Sequence, residues 1–118
     1  MKKYIFGETF KLQCRNIEYA INENKGVVAA IAHFHIPNYR FEKDNLTTVG
    51  IAKLDPKDTF DAEVGKRIAR AKAEKEAYYQ FKQLVMEFRD RMRKEYLKAQ
   101  RTILKTEKCI HYQKEYIK

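Results

Sequence analysis

The chain has 118 residues, 44% apolar and 35% charged, and 25 Lys/Arg against 16 Asp/Glu give it a net charge of +9. This is enough sequence for one domain with a core, and 4 Gly and 2 Pro are too few for a low-complexity chain. No apolar run approaches the ~20 residues of a membrane span, and Met1-Lys2-Lys3 opens no signal-peptide pattern, so neither a membrane protein, nor a secreted disulfide scaffold, nor a multidomain enzyme is expected. Cys14 and Cys109 are then expected as reduced thiols of a cytoplasmic protein. The basic surplus is uneven: residues 1–60 hold 9 Lys/Arg against 7 Asp/Glu, residues 61–118 hold 16 against 9.

The first half reads as β structure. Phe10, Leu12 and Cys14 alternate with polar residues, and the apolar phase then shifts by one to Ile17, Tyr19 and Ile21. Such a shift predicts a bulge or bend near Arg15-Asn16. Asn22 to Gly26 has turn chemistry, with Gly26 suited to positive φ. Val27 to Ile36 is nearly all apolar and predicts a central strand buried on both faces. Pro37 ends it, 38–45 reads as a loop, and Thr47 to Leu54 makes the third strand of a meander.

Asp55-Pro56 breaks the strand, and Asp58, Thr59, Asp61 and Glu63 place caps and negative charge at a helix start. From Asp61 to about Lys108 there is no proline and the one glycine is Gly65. Alanines 69, 71, 73 and 77 suit close packing on the sheet, and Phe81, Leu84, Val85, Phe88, Met92, Tyr96, Ala99 and Ile103 follow a helical period. Residues 61–108 as one helix would run to roughly 72 Å, against a radius of gyration of about 13–14 Å for a compact domain of this size. The helix therefore either breaks near 75–90 or presents its distal half to a partner. The expected fold class is α+β: a three-stranded antiparallel β-sheet followed by a long C-terminal α-helix, all in one domain over 1–118. Within it, about 8–80 forms the sheet and packed helix start, 81–108 a basic amphipathic helix, and 109–118 a tail or short strand.

The most informative constellation is Lys94, Lys98, Arg101, Lys105 and Lys108. The 4-3-4-3 spacing puts all five within about 40° of one line along a helix. Arg91 lies beside that line, and Phe88, Met92, Tyr96 and Ile103 mark the opposite, partner-seeking face. Such a row suits a sugar-phosphate backbone, because each neutralised phosphate releases a counterion and the affinity needs no particular sequence. A lysine-rich solvated face is the plain alternative, and both stay open. Lys66, Arg67 and Arg70 add a second basic cluster that can equally offset the cap acids, and Tyr39 and Phe41 sit among cations where they can stack on an unpaired base or fold back onto the sheet.

Catalytic candidates are thin. His33 and His35 share a strand face without a third metal ligand in view. Glu107 and His111 flank Cys109 at two residues on either side, which on a strand would share its face. The acids Asp55, Asp58, Asp61 and Glu63 suit Mg²⁺ but are already explained as turn and cap residues. No P-loop, GxSxG, HExxH or GxGxxG motif occurs. The expectation is no catalytic residue, no metal and no cofactor.

The run from Val49 to Ala73, VGIAKLDPKDTFDAEVGKRIARAKA, resembles a pattern of small accessory proteins of phages and mobile elements of Gram-positive bacteria, roughly G-x-A-K-x-x-P-x-D-x-F-D-x-E-x-G-x-x-I-A-x-x-[KR]-A. The resemblance covers about residues 16–77, departs from the pattern at Leu54 (often cysteine) and Lys72 (more often arginine), and stops short of the basic helix. It implies a phage context and raises the class of inhibitors that disable host machinery, anti-CRISPR proteins among them. The function expected from resemblance and stripe together is a non-catalytic inhibitor of a host defence complex, an RNA-guided nuclease, engaged through the basic helix. The partners expected are that ribonucleoprotein, its nucleic acid, and a second copy of the chain, with no membrane. The alternatives are a general nucleic-acid-binding protein and a helix-mediated dimeric interaction module.

Overall fold

The computed structural model describes residues 2–5 (backbone only), 10–37, 41, 43–55 and 57–117. Four strands, β1 (Lys2–Ile5), β2 (Lys11–Asn22), β3 (Val27–His35) and β4 (Asn45–Lys53), precede one helix, α1 (Ala62–Tyr116). The strands form an antiparallel sheet in sequential order. The α+β class and the meander of β2, β3 and β4 are as the sequence predicts, and β1 adds an edge strand beside β2. Residues 1–85 and 86–118 form two compact units.

In the first unit the β2–β3 register shifts between Cys14 and Asn16, where the apolar phase changes. The bulge keeps β2 amphipathic. Leu12 and Cys14 are buried before it, and after it Ile17, half-buried, and Tyr19 and Ile21, exposed, pair with the buried Ala32, Ala30 and Val28 of the helix-bearing face. Gly26 takes φ 64° at the β2–β3 turn, donating its N–H to Glu23 O at 3.1 Å.

The β3 strand departs from expectation. Only Val28, Ala30, Ala32 and Phe34 are buried, and the alternate residues from Val27 to His35 are half-buried. The start of the helix packs on the face of the sheet that carries Val28, Ala30, Ala32 and Phe34, which accounts for the alternation.

The helix start is built as its residues dictate. The Asp61 Oδ1 accepts N–H groups from Glu63 (3.0 Å) and Val64 (3.4 Å), an N-cap worth about 1 kcal/mol. Asp58, expected to share that role, lies instead in the preceding turn, where its N–H bonds to Asp55 O at 2.9 Å. Gly65, Ala69, Ala73, Ala77 and Phe81, four apart, are the buried residues of α1. Ala71 is exposed, because it sits outside that line.

These small residues let two backbones meet. A Cβ on Gly50 of β4 would run into the Ala69 carbonyl oxygen and lie 2.5 Å from the Ala73 amide nitrogen, and one on Gly65 would lie 2.6 Å from Val28 Cγ2. The buried Thr48 hydroxyl donates to Ala73 O at 2.7 Å, tying strand to helix at the same level. Farther along, Phe81 meets Phe41 edge-on at 6.2 Å, and Phe41 meets Phe10 at 5.8 Å.

α1 runs unbroken to Tyr116, so residues 109–116 are helix rather than a strand or tail, and no break occurs at 75–90. No Gly or Pro follows Gly65, and nothing interrupts the i→i−4 ladder. No helix among the described residues is long and apolar enough to cross a membrane.

Candidate nucleic-acid interface

The unit formed by residues 86–118 is helical to Tyr116 and every residue from Arg89 to Ile117 is exposed. Arg91, Lys94, Lys98, Arg101, Lys105 and Lys108 therefore all stand in solvent on a continuous helix, as the spacing predicts. Four steps from Lys94 to Lys108 at 1.5 Å per residue space the cations about 5 Å apart along the axis. Lys98 Nζ lies 3.3 Å from Glu95 Oε1, both exposed, a pair too solvated to remove the charge from the row. Of the other acids, Asp90 pairs with its neighbour Arg89 at 3.1 Å and Glu115 sits 3.5 Å from His111, one beyond each end of the row, and no acid falls in line between Lys94 and Lys108. The row can bind a polyanion through its charge.

The opposite line is equally open. Met92, Tyr96 and Ile103 are exposed and Phe88 is half-buried. The proposed apolar seam shortens at its other end, because Phe81 is already used in the core and Leu84 and Val85 are half-buried.

No family model matches the chain, and no curated protein or solved structure is similar to it.

The other sequence candidates fall into structural roles. Phe41 is buried between Phe10 and Phe81, so it is no stacking platform, and Tyr39 lies outside the described residues. An aromatic beside a sheet gains more from the core than from solvent, and the loop that carries Phe41 closes back with Ile36 N donating to Asp44 O at 2.7 Å. Lys66 lies 3.7 Å from Glu63 and 5.4 Å above the Tyr19 ring, and Arg70 Nε donates to Glu74 at 2.7 Å, so local partners balance much of that basic cluster. Lys72 Nζ donates to Ile51 O at 2.9 Å.

His33 and His35 do share a face of β3. His33 Nε2 lies 3.6 Å from Glu18 and Nδ1 3.3 Å from the Thr47 hydroxyl, a three-strand polar row. Among the described residues no group of three His, Cys, Asp or Glu is placed to hold a metal. The acids at the β4–α1 corner serve the chain itself, Asp55 by accepting the Lys57 N–H at 2.9 Å and Asp61 by capping. Cys14 is buried and Cys109 exposed. Because residues 107–111 are helical, Glu107 and His111 point about 200° away from Cys109, and the shared face expected of a strand is lost.

Tyr112 and Tyr116 stand on the same helix beyond the cation row and pair with each other. Their hydroxyls share a hydrogen bond at 3.1 Å, and their ring centroids are 5.2 Å apart at an interplanar angle of 60°. The hydrogen bond to Tyr116, with a little burial, holds the Tyr112 phenol above its usual pKa. Their signal was spacing: 108, 112 and 116 continue the row in steps of four, visible only once the helix is extended past Lys108.

Proposed function

We propose that the protein acts without catalysis, by laying the cation row of its distal helix along the phosphate backbone of a nucleic acid. One observation carries this reading: five exposed cations stand in a single line on an unbroken helix in the more basic half of the chain. The resemblance of residues 16–77 to phage accessory proteins supplies the context. In that context the nucleic acid is the guide or target strand of an RNA-guided nuclease in the host cytoplasm, and binding inhibits the host complex.

The test is binding to a labelled oligonucleotide across a salt series. Five phosphate contacts give a slope of log K against log salt of about −3.5 on a single strand and about −4.5 on a duplex, or a loss on the order of a hundred-fold to several hundred-fold for a fourfold rise in salt. A flat response overturns the reading.

A second reading is favoured by the apolar line. Tyr96, Ile103, Ile110 and Ile117 recur every seven residues and are 50–78% exposed, the heptad spacing of helices that pair. The cations fall on outer positions of that heptad, so pairing of two copies would leave them free for phosphate. A dimeric mass by sedimentation, reduced to monomer by Ile103→Glu with Ile110→Glu, is the expected result. A monomer up to about 1 mM, the weak end of measurable association, removes this reading.

A further inference from the structure

We infer that Tyr112 and Tyr116 form a base-stacking platform at the end of the cation row, so that the helix selects single-stranded over duplex nucleic acid. The inference rests on the phosphate-binding reading above and adds its ligand class.

Eighteen residues are about five full helical turns, so Tyr112 stands in line with Lys94 and Tyr116 in line with Lys98. The tyrosines thus belong to the cationic side of the helix. The apolar line through Tyr96, Ile103 and Ile110 lies on the other side, so the pair is not part of that line. Lys108 and Tyr112 are about 6 Å apart along the axis, close to the step between successive cations, which places the next base of a bound strand over the rings.

The rings are 57% and 73% exposed, while their hydroxyl tips are tied together by the 3.1 Å hydrogen bond. That tie restrains both side chains before any ligand arrives, which lowers the ordering cost of binding. Cations that track a backbone, followed by aromatic faces on which bases stack, are the two ingredients of single-strand binding.

Chemistry then chooses the strand. Bases inside a duplex are already stacked on their neighbours, whereas an unpaired base has a free π face. A straight cation row also follows an extended strand along its length, while each strand of a duplex winds away around its axis. Duplex and abasic backbone should therefore meet the lysines alone.

The experiment compares four labelled probes of equal length by fluorescence anisotropy: oligo-dT, oligo-rU, an abasic deoxyribose-phosphate strand, and a DNA duplex. The wild type should bind both base-bearing single strands at least about ten-fold more tightly than the abasic strand. Tyr112→Ala with Tyr116→Ala should bring them down to the abasic level while leaving abasic binding and helicity unchanged. Tyr112→Phe with Tyr116→Phe keeps the rings and should keep most of the gain. Equal wild-type affinity for oligo-dT and the abasic strand overturns the platform alone, provided abasic binding is salt-sensitive. No binding to any probe at low salt overturns both the platform and the reading beneath it.

Discussion

Gly50→Ala is expected to destabilise the protein by about 3 kcal/mol or more, measured as a lower urea midpoint with an unchanged m-value. The added methyl would meet backbone on both sides, the Ala69 carbonyl and the Ala73 amide, with Lys72 Cβ at 2.9 Å. Backbone cannot rotate out of the way as a side-chain end can, so the helix must lift. Lifting it would also stretch the buried Thr48–Ala73 hydrogen bond and loosen the alanines beneath. Gly50→Val should leave no cooperative transition. A midpoint within about 0.5 kcal/mol of wild type, the size of ordinary surface substitutions, would show that β4 and α1 do not approach as described.

The second large effect is on binding. Reversing Lys98, Arg101 and Lys105 to Glu should weaken nucleic-acid affinity at least about 100-fold at low salt and make the salt slope shallower by about 3. All three are exposed, in a part of α1 that contributes nothing to the core, so the urea midpoint should not move. Inhibition of an RNA-guided nuclease should fall in parallel. Unchanged inhibition would take the basic row out of the mechanism, even with nucleic-acid binding lost.

Much of the fold was legible because local and tertiary preferences agree. The even-to-odd phase change around Arg15 marks the bulge, Gly26 the turn and Asp61 the cap, each a position where one residue type satisfies a specific backbone need. Alanines 69, 73 and 77 announced close packing, whereas Ala71, which composition groups with them, is exposed because it is off their four-residue ladder. The end of α1 was less legible. Cys109 to Tyr112 alternates like a strand, and only the uninterrupted ladder upstream decides for helix. Phe41 shows the other limit: its loop reads equally as a stacking tip or a core lid, and the choice depends on Phe10 and Phe81, distant in sequence. Assigning the site suffered in turn, because Tyr112 and Tyr116 join the cations only through helix geometry.

The division of labour along α1 has a consequence for how this chain can change over time. Residues that hold the fold end at about Phe81, and those that can touch a ligand begin several turns later. Substitutions in the distal helix therefore pass no folding test beyond keeping helical propensity, while those at Gly50, Ala69 or Ala73 are filtered severely. A population under pressure from a changing target can explore charge, aromatic and apolar replacements on the distal faces at almost no stability cost. Diversity should thus concentrate after residue 88, with the sheet and first helical turns held nearly constant. Deep mutational scanning for folded protein and for binding would separate the two segments into different tolerance classes.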